Sequence, residues 1–311
     1  MDYELNEDQQ AILEAVGQLL AQRAGAARAI ELNQKGGYDS ELDAALAEAG
    51  FSELALGEET GPLEAALLVE AVAGAAGLVG IGAAALIAPG AVGRPLPGPI
   101  AVARADGARL VRYAGYARTL LIDAGEEARV ATLEAGDAEP IRTNFGYPIA
   151  RLRPEVLQGG ESLGPGSGAK LRDWWRVAIA IETAGTMRAA LDYTVGYLKE
   201  RRQFGRAIGS FQAVQHRLAD CAILVEGSHW LALEAAWLGA PGESAATAAA
   251  YATSAATQVF GEMHQLSGAI GFTHEHDLHV WSVRLQALKL ELDGAAGHRR
   301  AIAQARWGAR A

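Results

Sequence analysis

The sequence has few of the features that would cross-link a chain or hold it in a membrane. Cys221 is the one cysteine among 311 residues, so no disulfide can form within the chain, and a reducing compartment is expected. The most apolar stretch, residues 71–92, is rich in alanine and glycine and contains Pro89, whereas a membrane span needs about 20 strongly apolar residues. The first ten residues are acidic and polar, unlike a signal peptide. We therefore expect a cytoplasmic protein without a membrane segment.

Positive charge is also scarce. The chain has 27 Lys and Arg residues against 37 Asp and Glu residues, which gives a formal net charge of -10. Nucleic acids are bound by cationic surfaces, so nucleic acid is not an expected partner. Half of the residues are hydrophobic, which is typical of a folded protein rather than a disordered one.

Helical patterns dominate the first hundred residues. Apolar residues at helical spacing predict three helices, over residues 7–23, 39–49 and 63–73. Asn6 is the predicted N-cap of the first helix, and Gly50 is the predicted end of the second. The proline- and glycine-rich stretch 88–99 is expected to close this region. The predicted N-terminal helical domain covers residues 1–97.

The pattern changes to short alternating runs over residues 98–158. The runs PIAVARA, ARLVRYA, RTLLIDA and RVATLEA favour strands, and turn-forming dipeptides separate them. They predict a small, shortened β-region of four or five strands. Residues 159–170 lie within the stretch QGGESLGPGSGAK, which is rich in glycine and serine and is expected to be a mobile linker.

The last part of the chain, residues 171–311, is helical again. Its pattern predicts four helices, over residues 173–202, 210–238, 244–266 and 277–292. Long helices with short connections favour an antiparallel four-helix bundle. The predicted fold class is therefore mainly α, with a helical domain, a small β-region and a bundle.

Two stretches within the predicted bundle are distinctive. Residues 200–215 read ERRQFGRAIGSFQAVQ, and residues 265–279 read QLSGAIGFTHEHDLH. In this order and spacing they resemble the two signature stretches of the acyl-CoA dehydrogenase family. The stretches LNEDQQAILEAVGQLL and ELDAALAEAGFSELALGEETG are similar to that family's first helices. The resemblance implies an N-terminal helical domain, a middle β-domain and a C-terminal four-helix bundle.

The resemblance also implies a reaction and a cofactor. Members of the family dehydrogenate acyl-CoA thioesters between the α and β carbons. A carboxylate removes the α-proton, and FAD takes the β-hydrogen as hydride, so the protein's share is to position and polarise the reactants. An electron-transfer flavoprotein or a similar acceptor is the implied redox partner.

Five residues match family positions that contact the ADP half of FAD: Arg201, Phe204, Gln212, Gln265 and Gly268. An arginine fork suits a pyrophosphate and an aromatic ring suits adenine. We expect Arg201 and Phe204 to lie on one helix end and to face the same way. In this family the neighbouring protomer contacts that half of the flavin. A solvated arginine at a helix end is the alternative for Arg201.

A histidine-rich segment follows the second signature stretch. His274, His276 and His279, with Glu275 and Asp277, could be interpreted as metal ligands. The family has a similar acidic, histidine-bearing segment without a metal, and acidic residues at a helix start explain it equally well. We therefore predict no metal site.

The position of the catalytic base departs from the family pattern. Most members carry a glutamate nine residues after an arginine like Arg284, and here that position is Asp293, followed by a glycine. A minority place the base immediately before an arginine like Arg176, where this chain has Trp175. Glu182 lies nearly two turns further along and matches no family position. Asp293 is thus the sole candidate base, and a structural carboxylate at a helix end is the favoured interpretation.

The segments that hold the flavin ring in the family are missing between residues 99 and 160. The TN in IRTNFGYP lacks the tryptophan that precedes it in the family pattern. The chain therefore resembles the shortened subunit of heteromeric α2β2 acyl-CoA dehydrogenases from bacterial steroid side-chain degradation. The resemblance implies a full-length partner that supplies the flavin-ring site and the catalytic glutamate, and a steroid-CoA as substrate.

Two other interpretations remain open at this stage. The chain could be a self-sufficient homo-oligomeric dehydrogenase that uses Asp293 as its base. It could also be a non-catalytic scaffold partner, although retention of Arg201, Phe204, Gln212 and Gln265 together argues against that interpretation.

Overall fold

The computed structural model describes residues 4–308, most of which are helical. The α-helices are α1 (Glu7–Arg23), α2 (Ala26–Gln34), α3 (Ser40–Glu48), α4 (Pro62–Gly74), α5 (Ala88–Val92), α6 (Ser167–Glu200), α7 (Gln212–Trp237), α8 (Gly242–Ser267), α9 (Leu278–Leu288) and α10 (Gly294–Trp307). The strands are β1 (Ile100–Arg104), β2 (Leu110–Arg112), β3 (Thr119–Asp123), β4 (Glu127–Thr132), β5 (Ala138–Ile141), β6 (Ile149–Leu152), β7 (Glu161–Pro165), β8 (Arg202–Gln203) and β9 (Arg206–Ala207). This is the mainly α architecture that the sequence predicts.

The start of α1 shows how local sequence sets an element boundary. Asn6 accepts a hydrogen bond from the Gln9 backbone N–H at 2.8 Å, and the Gln9 side chain accepts one from the Asn6 N–H at 3.1 Å. This reciprocal capping box satisfies donors that the first turn of a helix leaves free. The N-cap predicted at Asn6 is confirmed, and Gly50 takes the left-handed conformation expected after a helix.

The apolar stretch 71–92 contains the end of α4, a short non-helical connection and a second helical segment that continues through Pro89 to Val92. A π-helical turn, Gly82–Ile87, leads directly into α5, whose second residue is Pro89. Proline removes a backbone donor, and π-type turns occur where a regular helix cannot keep its usual pairing. Within residues 4–308, no helix is both long and apolar enough to cross a bilayer.

The middle region contains two small sheets. One has the order β1-β3-β4-β7, in which β1 and β3 are parallel and the other neighbours antiparallel; the other has the order β2-β6-β5. The first three predicted runs contain β1 to β3, and β4 overlaps the fourth run but begins two residues before it, at Glu127. β3 is buried along its whole length. β5 to β7 were not predicted. β5 carries Pro140, and its middle residues are exposed, so it lacks the alternation that identifies a strand.

The segment 159–170 is not the linker that its composition suggests. It contains β7, which pairs with β4, and it ends in the first turn of α6. Gly160, Gly164 and Gly166 have φ values of 94°, 86° and 80°, a conformation that favours glycine. Gly160 and Gly166 therefore form turns on either side of β7, and Gly164 lies near the end of that strand.

The C-terminal region is built around the 34-residue helix α6, which packs against α4, α7, α8 and α9. The predicted final helix over 277–292 is wrong at its end: α9 stops at Leu288, and α10 follows after a turn and packs on α8. Leu292 and Asp293 have φ values of 49° and 64°. Positive φ at two successive residues cannot continue an α-helix, so the chain turns here.

Helices α4 and α6 cross at very close range. A Cβ added at Gly185 would lie 2.3 Å from the carbonyl oxygen of Glu70, so only glycine allows this approach. The end of α4 is tied to α9, because Trp281 Nε1 donates to the Gly74 carbonyl at 2.9 Å and Arg284 Nη1 donates to the Gly77 carbonyl at 3.2 Å. The N-terminal helices and the bundle therefore share one packed core.

Candidate functional site

The segment after α6 is a hairpin turn rather than a continuation of the helix. α6 ends at Glu200, β8 and β9 pair with each other, and Phe204 and Gly205 form the connecting turn with φ values of 53° and 81°. Such two-residue turns need positive φ at both positions. The expectation that Arg201 and Phe204 share one helix end is therefore wrong; Arg201 caps α6, and Phe204 lies at the hairpin tip.

The predicted cofactor residues of this segment lie on the surface. Phe204 is 90% exposed and makes an edge-on contact with Phe211, with 6.3 Å between ring centroids. Arg201 is exposed, and its side chain has no hydrogen-bond or ion-pair partner within residues 4–308. Gln212 is the exposed first residue of α7, where backbone N–H groups lack helical partners. An exposed guanidinium, an exposed aromatic ring and a helix N-terminus thus occur within twelve residues.

The second signature stretch forms the end of α8 and the turn after it. Gln265 is exposed, and Gly268 has φ 70° and ψ -153°, a combination essentially confined to glycine. The segment beyond the turn returns to α6: Tyr193 Oη lies 3.3 Å from His276 Nδ1 and accepts a hydrogen bond from the Asp277 N–H at 3.0 Å. Both signature stretches therefore lie near the same end of α6.

The histidine-rich segment does not assemble ligands around a point. The ring centroids of His274 and His279 are 4.8 Å apart, while His276 is buried against Tyr193 and Tyr197. Among residues 4–308, no group of three or more His, Cys, Asp or Glu side chains has a geometry that could hold a metal ion.

Asp293, the predicted candidate base, is held by arginines at the surface. Arg104 Nη1 donates to both of its carboxylate oxygens at 3.1 Å, and Arg300 Nη2 lies 3.6 Å from Oδ2. The Asp293 side chain is 56% exposed. Its backbone, together with that of Leu292, lies in the left-handed region, a strain that costs on the order of 1 kcal/mol at each residue and is common at functional sites.

A cavity of about 340 Å³ lies beside Asp293. Its walls come from the π-helical turn before α5, from β1 and β2, from α6 and from the turn after α9. Most wall residues are apolar, including Ile87, Val102, Phe145 and Leu290. Cavities of this size and character are typical of small-molecule sites.

The polar part of the cavity is an ion cluster formed by Arg112, Glu182 and Glu291. Arg112 Nη1 donates to Glu182 Oε2 at 2.6 Å, and its Nε forms an ion pair with Glu291 Oε1. Trp175 Nε1 donates to the second Glu291 oxygen at 2.5 Å. The side chains of Arg112, Glu182 and Glu291 are each at most 16% exposed. The cluster is therefore a buried network that leaves Glu291 with donors on both oxygens.

Burial and charge set the protonation of this cluster. Burial would lower the pKa of Arg112, but Glu182 and Glu291 outweigh it and raise that pKa well above its ordinary value. Burial raises the pKa of Glu182, although Arg112 opposes the shift. Burial also raises the pKa of Tyr147, whose ring lies 4.8 Å from the Arg112 guanidinium, to about 12. Arg112 is thus fixed as a cation between its carboxylates.

Sequence reasoning noted Trp175 and Glu182 only as mismatches to the family pattern and did not single out Arg112 or Glu291. The structure brings all four together in one cavity. Arg112 and Glu182 are 70 positions apart, and nothing in a single sequence signals such a contact. The one local signal was Glu291, a second carboxylate two residues before Asp293.

Known proteins of one family match this chain. Residues 171–306 match the family described as "Acyl-CoA dehydrogenase, C-terminal domain". The acyl-CoA dehydrogenase IpdE2 of Mycobacterium tuberculosis is 32% identical, over 87% of this chain and 80% of its own length. The acyl-CoA dehydrogenase FadE34 of the same organism is 33% identical over 67% of this chain. The match covers only 28% of the length of FadE34.

Solved structures share the fold. A chain of the ChsE4-ChsE5 complex from Mycobacterium tuberculosis matches with a TM-score of 0.79, 23% identity and complete coverage of both chains. A Tcur3481-Tcur3483 steroid ACAD matches with a TM-score of 0.80 and 25% identity, over 98% of this chain and 99% of that one. With IpdE2 matched along most of both sequences, the chain belongs to the acyl-CoA dehydrogenase family, whose members are oxidoreductases that act on acyl-CoA with FAD as cofactor.

Proposed function

We propose that the chain is one subunit of a heteromeric FAD-dependent acyl-CoA dehydrogenase and that it contributes the contacts to the ADP half of the flavin. A partner subunit supplies the flavin-ring site and the catalytic glutamate. The observation that carries the proposal is the pair of exposed groups at the end of α6: the Arg201 guanidinium, which has no polar partner within residues 4–308, and the Phe204 ring, which is 90% exposed. An aromatic ring exposed to this extent is commonly covered by a ligand or a partner.

These residues fit the ADP end of FAD chemically. A guanidinium presents a planar fork of N–H donors that matches phosphate oxygens, and an aromatic face stacks on adenine. The N-terminus of α7 at Gln212, eleven positions after Arg201, adds backbone donors without helical partners and a positive dipole end. Gly268 lets the backbone approach a phosphate without a side chain in the way.

Residues 4–308 present no comparable set of residues for the other half of the cofactor. When bound, FAD supplies the acceptor for the hydride that leaves the acyl β-carbon. The cavity beside Asp293 presents the Arg112 ion cluster instead of a polar surface for a flat ring system. This favours a flavin ring held by a partner chain.

The ion pairs of Asp293 favour a base on the partner as well. Its carboxylate is engaged by Arg104 and Arg300, and its side chain is one methylene shorter than glutamate. A displacement of roughly 1 Å can cost about a hundredfold in rate, so a self-sufficient enzyme that uses Asp293 is the weaker alternative. A pure scaffold would have no reason to present Arg201 and Phe204.

The α2β2 assembly and the substrate are the finer parts of the proposal. The ChsE4-ChsE5 structure is a complex of two different chains, and the Tcur3481-Tcur3483 protein is a steroid enzyme by its description. We infer a full-length acyl-CoA dehydrogenase subunit as partner, a steroid side-chain CoA thioester as substrate, and an electron-transfer flavoprotein or similar acceptor as oxidant of the reduced flavin.

The proposal is tested by the flavin content of the co-purified complex. Co-expression with a full-length acyl-CoA dehydrogenase subunit is expected to give a yellow complex, and Arg201→Ala is expected to weaken FAD binding about tenfold or more, because a charge-assisted contact is lost. Arg202→Ala, one residue further along the same exposed hairpin, is the matched control and is expected to retain FAD. Equal flavin content in the two variants would show that Arg201 does not bind the cofactor.

A further inference from the structure

The cavity beside Asp293 combines a largely apolar wall with one polar region. About 340 Å³ is enclosed by aliphatic and aromatic side chains, and the Arg112 cluster lies on one side. Leu290, which is 65% exposed, lies both on the cavity wall and on the surface, and so marks the mouth. A ligand that fits here buries an apolar body and places a single polar group near Arg112.

The charges of the wall select against anions. The charged residues that line the cavity are two cations, Arg104 and Arg112, and three carboxylates, Glu182, Glu291 and Asp293. Every cation is already paired with at least one of these carboxylates. A ligand carboxylate would lie among like charges at low dielectric without gaining an unpaired cation, which is unfavourable.

Arg112 nevertheless retains capacity to donate. A guanidinium has five N–H groups, and Arg112 uses its Nη1 toward Glu182 and its Nε toward Glu291. Its remaining N–H groups can donate to a neutral oxygen, which needs no countercharge. Tyr113 and Tyr147 cover the guanidinium, with ring centroids 5.8 and 4.8 Å from Cζ, and fix its orientation.

We propose that this cavity binds an uncharged, mainly apolar molecule whose hydroxyl or ketone oxygen accepts a hydrogen bond from Arg112, and that it discriminates against carboxylates. The inference goes beyond the proposed function, because it concerns a ligand held by this chain and requires no flavin. Glu182 and Glu291 are the residues that set the discrimination, and Leu290 controls entry.

Calorimetric titration of the full-length chain tests the ligand class. The probes are 2-decalone, a neutral bicyclic ketone, and decahydro-2-naphthoate, which has the same skeleton with a carboxylate. The ketone is expected to bind at least about tenfold more tightly than the carboxylate, because only the carboxylate faces like charge. Equal or tighter binding of the carboxylate, or no binding of the ketone up to its solubility limit, would overturn the proposal.

Two variants locate the binding in this cavity. Leu290→Glu places a charge at the mouth and is expected to weaken ketone binding about tenfold. Ile223→Glu on α7 is the matched control, since Ile223 is 66% exposed and does not line the cavity, and it is expected to leave binding unchanged. Equal losses of ketone affinity in the two variants would show that the ketone binds outside this cavity. No FAD is present in these titrations, so their outcome is separate from that of the Arg201 experiment.

Discussion

His298 is a buried titratable group that the candidate site does not use. It lies in α10, is 0% exposed, and neither ring nitrogen has a hydrogen-bond partner within residues 4–308. Burial, together with a smaller contribution from the nearby cation of Arg176, lowers its pKa from 6.5 to about 4. The folded protein therefore holds this imidazole in its neutral form at pH values where an exposed histidine would take up a proton.

The consequence is a loss of stability in acid. The unfolded chain protonates His298 below about pH 6.5, while the folded chain does so only near pH 4, so the unfolded state binds more protons between these values. The free energy of unfolding is expected to fall by roughly 3 kcal/mol across this range on account of His298. Urea denaturation at several pH values measures this change in the free energy of unfolding.

His298→Leu is expected to remove that part of the pH dependence, whereas the control His216→Leu, at an exposed position, is expected to keep it. His264 and His276, whose pKa values are also lowered by burial, contribute in the same direction and remain in both variants. If wild type and His298→Leu lost stability in parallel as the pH fell, His298 would not be the titrating group.

Single residues also show the limit of what a sequence predicts. Asn6 was identifiable as a cap because its partner, Gln9, is three positions away. The cluster of Arg112, Glu182 and Glu291 was not, because its members come from β2, α6 and the turn after α9 and meet only in the folded chain. Local pairs are encoded by spacing, whereas distant pairs depend on tertiary packing.

At the scale of elements, the crossing of α4 and α6 depends on Gly185. Gly185→Ala would place a methyl group 2.3 Å from the Glu70 carbonyl oxygen, so the two helices must move apart. We expect a loss of about 1–3 kcal/mol in the free energy of unfolding, measured by urea denaturation.

The same helix provides the control for this substitution. Gly196 is exposed on α6, and a Cβ added there would meet nothing within 4 Å. Gly196→Ala is expected to stabilise the protein by roughly 0.5–1 kcal/mol, because alanine is the better helix former. If Gly185→Ala stabilised the protein, α4 and α6 could move apart without loss of stability, and the glycine would not be required.

Elements with a strong local pattern were predicted well, and those that depend on partners were not. The bounds of α1 agree with the prediction at both ends, β1 to β3 fall within the predicted runs, and β4 overlaps its predicted run. β7 was predicted as part of a linker because the segment is rich in glycine. It forms a strand because it pairs with β4. The predicted last helix extended to Leu292, past the end of α9 at Leu288, and α10 was not predicted.

At the scale of the whole molecule, the end of the bundle near the two signature stretches is rich in exposed apolar groups. Phe204 is 90% exposed and Phe272 is 73% exposed. Exposed aromatic residues of this size are commonly covered in an assembly. In the proposed complex with FAD bound, this surface faces the partner subunit and the cofactor.

Hydrogen exchange compares the lone chain with the complex. Amides in residues 200–211 and 265–275 are expected to exchange at least about tenfold more slowly in the complex, because the hairpin and the glycine turn become covered. The loop 134–137, on the middle β-region, is the internal control and is expected to exchange equally in both. Unchanged exchange in the two signature stretches would mean that the partner and the flavin bind elsewhere.

The length of α6 separates the two sites described above. Glu182 in the cavity and Arg201 at the proposed cofactor end are 19 positions apart, which corresponds to about 28 Å along a continuous helix. Groups this far apart share no contact, and the effects of changing them are expected to add independently. A double variant at both ends of this helix would therefore combine two separate defects, so ligand choice and flavin affinity can be engineered one at a time.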